Sequence, residues 1–220
     1  MPTRQPRALP KIWLMTDERQ GDALFEALAR LPKGAGVIFR HHATPPAQRR
    51  ALFERIRRIA KRKRLMLILA GTPRDAIGWR ADGNHGRSPH RAQIRTAPAH
   101  NRREIVAAER AGADLILLSP VFPTRSHPGG RALGRVRFLE LARRATTGVI
   151  ALGGMNARLA RSLQSPSSRR KSGPMDGVRL KRKGAESMDP DFRRGDDSAR
   201  QIYGWAANDA WSEPQPSRSS

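Results

Sequence analysis

Two stretches of the chain carry residue types that could do chemistry. One is Gly153-Gly154, which follows the apolar run Gly148-Val149-Ile150-Ala151-Leu152 and precedes Asn156. Paired glycines at a strand end let backbone N–H groups approach an anion closely. A helix opening just beyond them would add the positive end of its dipole. The pattern therefore suits a phosphate, although a simple left-handed turn explains a lone glycine pair equally well. The other stretch is Ala111–Gly130. There the apolar run Leu115-Ile116-Leu117-Leu118 breaks into a loop stiffened by Pro120, Pro123 and Pro128 and carrying Thr124, Ser126 and His127. Hydroxyls can donate to phosphoryl oxygens, and histidine can do so when protonated. The plainer alternative is a surface loop whose polar groups face water.

Such residues need strands to hold them. Continuous apolar runs suggest strands buried on both faces, as in parallel sheets. They occur at Lys11–Met15, Gly36–Arg40, Leu65–Ala70, Leu115–Leu118 and Gly148–Leu152. Weaker strands are expected at Ala81–His85 and Ala92–Arg95. Helical patterns fall between them: Ala23–Leu31 capped by Asp22, a helix after Thr44-Pro45-Pro46 with Leu52, Ile56 and Ile59 inward, and a short one after Thr72-Pro73. Further helices carry Ile105, Ala108 and Ala111, then Phe138, Leu139, Leu141 and Ala142, then Ala157–Leu163. Alternating strands and helices imply right-handed parallel crossovers. The count reaches eight only if Tyr203–Ala207 is the last strand. The expected fold is an α/β (β/α)8 TIM barrel, incomplete at the last helix, with an open doubly wound sheet as the alternative.

The chain has 220 residues, enough for one such barrel, and no cysteine, so neither disulfides nor thiolate metal sites arise. Its N-terminus lacks the apolar core of a secretory signal, and no apolar run approaches a membrane span of about 20 residues. A cytoplasmic location follows as the expectation. Lys and Arg number 43 against 19 Asp and Glu, a net charge of +24. That excess is dispersed and few aromatic residues accompany it, which disfavours nucleic acid and fits attraction for phosphorylated small molecules. The run Arg55–Arg64 reads as the solvated face of a helix. Residues 1–10 form an expected disordered arm, 11–212 the barrel, and 213–220 a disordered tail. Between them, 164–200 is rich in Ser, Arg, Lys and Asp and reads as a low-complexity insertion before the last strand.

Several segments resemble the thiamine phosphate synthase/TenI family. Trp13-Leu14-Met15-Thr16-Asp17 is similar to its opening LYLVTD, Ala81-Asp82-Gly83-Asn84-His85 to ADGVH, the Pro120–Thr124 loop to GPVFPTxTK, and Gly148–Asn156 to VVAIGGIN. The resemblance implies a transferase of thiamine biosynthesis, which joins hydroxymethylpyrimidine pyrophosphate to thiazole phosphate and releases pyrophosphate. Carried over by position, Arg40, His42, Thr124, Ser126 and His127 would hold the pyrophosphate, and Gly153 and Gly154 the thiazole phosphate. Asn208 and Asp209 would close the phosphate site from the last strand. The family also implies Mg2+, but its carboxylates after strands three and four are replaced by Leu69-Ala70-Gly71 and Ser88-Pro89-His90. Asp75 and Asp82 remain nearby. Pro98 replaces a family serine, while His100 persists. Pro120 stands where the thiazole tautomerase has a histidine. Expected partners are thus phosphorylated substrates and no membrane, with homo-oligomerisation open. A phosphate-binding barrel that has lost catalysis is the second expectation, and a basic nucleic-acid-binding protein the third.

Overall fold

A computed structural model describes residues 8–88, 90, 93–124, 131–164 and 202–207. Apolar, β-branched runs form the strands and amphipathic segments the helices. In chain order these are β1 (Ile12–Met15), a 3-10 turn (Glu18–Gln20), α1 (Ala23–Arg30), β2 (Gly36–Phe39), α2 (Pro46–Lys63), β3 (Met66–Ala70) and α3 (Pro73–Gly78). Then come β4 (Gly83–His85), β5 (Ile94–Ala99), α4 (Arg102–Arg110), β6 (Leu115–Leu118), α5 (Gly134–Arg143), β7 (Gly148–Leu152), α6 (Ala157–Gln164) and β8 (Ile202–Ala207).

The strands close a parallel barrel in sequence order, β8 pairing with both β7 and β1. The (β/α)8 expectation holds, including the assignment of the last strand. The 164–200 insertion, apart from Gln164 at the end of α6, falls outside the described residues, as does the 213–220 tail. Of the 1–10 arm, Ala8–Pro10 are described: Leu9 packs on the barrel interior, and the Pro10 carbonyl accepts the Trp13 indole N–H at 2.7 Å.

Alternation along each strand sorts side chains into two layers. Trp13, Met15, Ile38, Met66, Ile68, Leu115, Leu117, Ile150 and Ala206 fill the interior. Leu14, Val37, Phe39, Ile116, Leu118 and Val149 face the helices. In α2 the inward stripe is Phe53, Ile56 and Ala60, with Leu52 and Ile59 on its flanks, a small rotation from the expected face. Asp22 makes no side-chain cap to α1; Asp17 caps the 3-10 turn before it instead.

β5 departs most from expectation. It spans Ile94–Ala99 rather than Ala92–Arg95, running through Pro98, which sits opposite Leu117 of β6. Proline lacks the ladder N–H, so the sequence pattern ends the strand too early. Among the described residues no helix separates β4 from β5, and residues 86–93 make the whole crossover. Parallel crossovers commonly take a dozen residues or more and contain a helix.

Trp13 closes the floor of the barrel against Gly36, its partner on β2. A Cβ at Gly36 would overlap the Trp13 indole. Gly36→Ala is expected to cost about 1–3 kcal/mol of stability through overpacking. Combining it with Trp13→Leu should cost less than the sum of the two single changes, because they meet at one contact. Urea denaturation of the four proteins measures this; strict additivity would refute the contact.

Candidate active site

The C-terminal strand ends open on a cavity of about 660 Å3. Its floor is apolar: Met15, Ala70, Pro98, Leu117 and Leu152. Its rim holds Arg40, His42, His85, Arg87, His100 and Ser119.

Arg40 follows β2 directly. Its backbone N–H donates to Thr16 Oγ1 at 3.1 Å, which ties the β2 end to the β1 end. Its guanidinium lies 3.4 Å from Asp17 Oδ2 and 3.5 Å from Met15 Sδ. Asp17 also accepts Arg19 Nε at 2.6 Å and Arg19 Nη2 at 2.9 Å. The Arg19 hydrogen bonds hold the Asp17 carboxyl below its usual pKa despite partial burial, and the Arg40 charge assists. His41 turns away from the mouth. Its backbone is left-handed at φ 48, its ring stacks on Phe39 at 4.7 Å, and its Nδ1 shares a 3.0 Å hydrogen bond with Thr16. His42 then stands exposed at the rim, its pKa lowered by desolvation first and by Arg49 and Arg40 second.

Arg49 of α2 braces this side of the mouth. It donates to the Arg40 carbonyl at 3.0 and 2.8 Å and to the Ala70 carbonyl at 2.8 Å, joining the ends of β2 and β3. Its guanidinium also packs 5.5 Å from the Phe39 ring centre and 5.2 Å from that of Trp79.

The opposite wall is built by β4, β5 and β6. His85 is lodged in the wall, and its Nδ1 shares a 2.9 Å hydrogen bond with Thr96. Burial, with Arg40 and His42 adding repulsion, pushes its pKa down to about 4. His100 Nδ1 lies 2.7 Å from the Ser119 carbonyl, which can only accept, so Nδ1 carries the proton and Nε2 keeps its lone pair when the ring is neutral. Glu104 Oε2 accepts both the His100 backbone N–H and Arg87 Nη2, each at 3.0 Å. A second hollow of about 380 Å3 lies beside the short crossover, lined by Arg95, Ala97, Asn101 and Ala107 and sharing Arg87 and Pro98 with the mouth.

Of the residues expected in the site, Arg40 and His42 line the mouth. Thr124, Gly153 and Gly154 lie on the neighbouring loops after β6 and β7 and do not line the cavity itself. Ser126, His127, Asn208 and Asp209 lie outside the described residues. The two loops pack on each other: Val121 N–H donates to the Leu152 carbonyl at 2.8 Å and Phe122 N–H to the Gly153 carbonyl at 3.1 Å. Gly153 and Gly154 have φ 92 and φ 61. A Cβ on Gly153 would sit 2.8 Å from Pro120, and one on Gly154 would overlap the Pro123 carbonyl. This packing requires both glycines whether or not an anion binds. Asn156 Oδ1 accepts Leu159 N–H at 2.9 Å and so caps α6.

His85, Arg87 and Ser119 were not among the site residues named from the sequence, and His100 entered only as a retained motif residue. Their common signal is position, at the carboxyl end of a strand or within two residues after it, where barrels place chemistry.

The donor set does not fit Mg2+, which takes oxygen ligands and favours carboxylates. Among the described residues no Asp or Glu lines the mouth, and no group of three His, Asp or Glu is able to share a metal. Asp75 is engaged by Thr72 Oγ1 at 2.7 Å in the first turn of α3. Asp82 accepts Leu67 N–H at 2.8 Å ahead of β4, at the amino ends of the strands and away from the mouth.

A (β/α)8 barrel with a cation-rich mouth at its strand ends is thus the class of protein defined by fold and site. A family model described as thiamine monophosphate synthase matches residues 12–165, and the chain belongs to that family of thiamine biosynthesis. It is 29% identical over 160 residues to the "Putative thiamine-phosphate synthase 2" of Aquifex aeolicus, covering 67% of this chain and 86% of that one. A thiamine-phosphate synthase of Bacillus velezensis is 34% identical over 79 residues, 35% of each chain. In fold it is similar to a thiamine phosphate pyrophosphorylase from Pyrococcus furiosus, with TM-score 0.63, 19% identity, and coverage of 93% of this chain and 88% of that chain. None of the described helices is long and apolar enough to cross a membrane.

His85 gives the site a signature in acid. Its folded pKa, about 4, lies below its ordinary value near 6.5, so the unfolded chain binds the proton first. The neutral ring therefore favours folding fully above about pH 6.5, and that contribution is lost as pH falls towards 4, by at most about 3 kcal/mol. His85→Gln should show a shallower loss of stability between about pH 7 and about pH 4.5 in urea titrations. Parallel pH profiles would show that His85 is not held neutral.

Proposed function

We propose that the protein is a thiamine phosphate synthase, joining hydroxymethylpyrimidine pyrophosphate to thiazole phosphate with release of pyrophosphate. The observation that carries this reading is the cation-rimmed mouth over an apolar floor, in a chain whose family model spans residues 12–165. In the reaction a carbon–oxygen bond breaks, its electron pair leaves on the pyrophosphate, and a thiazole nitrogen supplies the pair for the new carbon–nitrogen bond. Positive charge develops on the pyrimidine carbon and negative charge on the departing oxygen. Such a step is governed by fixed charges placed where charge develops.

Arg40 would hold the leaving pyrophosphate, since a guanidinium offers paired donors to phosphoryl oxygens. Thr16 and Asp17 orient it. His42 stands beside it at the rim, and Thr124, Ser126 and His127 would reach the same anion from the loop after β6. Gly153 and Gly154, with the capped amino end of α6, would receive the thiazole phosphate. The apolar floor suits the faces of two aromatic rings.

A second reading is a barrel of the same family that binds phosphates without turnover. What favours it is that no described carboxylate lines the mouth. A turnover assay with both half-molecules separates the two. The synthase reading expects product, and expects Arg40→Gln to lower kcat/KM by about tenfold or more, the worth of a charge-assisted hydrogen bond. Phosphate binding with no product under any metal condition would leave the second reading in its place.

A further inference from the structure

Two guanidiniums and no described carboxylate line the mouth. We propose that it binds a diphosphate without a divalent cation, with Arg87 supplying positive charge from the crossover between β4 and β5. This rests on the reading of the mouth as a diphosphate site.

Three observations lead to it. The rim carries Arg40 and Arg87 together with His42, His85 and His100, and no carboxylate among the described residues lines the cavity. The described carboxylates beside the rim are already engaged: Asp17 by Arg19, Glu18 by the Ala43 amide, Asp75 by Thr72, and Glu104 by Arg87 and the His100 amide. A dication placed there would meet arginines rather than ligands, whereas a diphosphate would meet donors.

Arg87 is also held in place. Asn101 Oδ1 caps α4 by accepting Glu104 N–H at 3.0 Å, and Asn101 Nδ2 donates to Glu104 Oε1 at 3.2 Å. The carboxylate so fixed at the first turn of α4 holds Arg87 at the cavity edge through Nη2. One hydrogen bond leaves a guanidinium most of its five N–H groups. The Arg87 side chain is 64% exposed, so these groups can reach an anion entering the mouth. The crossover is short, which keeps Arg87 within the walls of both hollows. The site would take the diphosphate end of a small organic molecule, or free pyrophosphate.

The test is calorimetric titration of the full chain with inorganic pyrophosphate, in EDTA and in excess Mg2+. Three variants accompany wild type: Arg87→Gln, Arg87→Lys, and Arg62→Gln. Arg62 lies exposed in the last turn of α2, at the end away from the mouth, and its loss removes the same unit charge. The proposal expects wild-type affinity in EDTA within about twofold of that in Mg2+. It expects Arg87→Gln to weaken binding by about tenfold or more, Arg87→Lys by less, and Arg62→Gln hardly at all. Binding that requires Mg2+ overturns the proposal and leaves the synthase reading standing. Equal affinities for Arg87→Gln and Arg62→Gln remove Arg87 from the site. No binding in either buffer overturns both the proposal and the assignment of the mouth to diphosphate. The wild-type comparison stands by itself should a variant fold poorly.

Discussion

The structure depends on one closure, the pairing of β8 with β1. Ile12, Trp13 and Leu14 lie opposite Trp205, Ala206 and Ala207, and the Trp205 N–H donates to the Lys11 carbonyl at 2.9 Å. An open sheet would leave two edges of unpaired backbone groups, which are costly to bury and prone to pair wrongly. With the ring closed, every strand end points to one rim. Only then do groups as distant in sequence as Met15, Arg40, His85, His100 and Leu152 surround one cavity.

Within that rim, charge is sorted by desolvation and pairing. Asp17 stays ionised because Arg19 and Arg40 surround it. His85 stays neutral because burial and neighbouring cations oppose a further positive charge. Arg49 occupies the carbonyls that end β2 and β3, so their partial negative charges are turned to the protein rather than to the mouth. The described lining thus offers guanidinium and imidazole groups and no carboxylate, apt for an anion and poor for a metal ion.

Much of the frame is legible in the sequence. Runs such as Leu115–Leu118 have no other stable home than a doubly covered strand, and the need for an eighth strand singles out Tyr203–Ala207. Arg40 is legible too, because it stands where an apolar run ends. The strand through Pro98 is not, since proline argues locally against a ladder that its neighbours impose. The Arg87–Glu104–His100 cluster is hidden for a different reason: its hydrogen bond joins residues 17 apart and exists only once α4 packs beside the short crossover. The glycine pair has two readings. Its residue type suggests a ligand, while the close approach of Pro120 and Pro123 already demands it.

The short span between β4 and β5 bears on how such barrels change over time. The backbone ladder continues across Gly83–Ile94, Asn84–Arg95 and His85–Thr96, with no helix among the described residues between the two strands. Staves and cladding are therefore separable: a barrel can shed one panel and keep its hoop. Beside that seam the wall is finished with arginine stems, a proline and the alanine face of α4. Deletions in this fold need not spare whole repeating units, and the gap they leave can become a side window onto the chamber above.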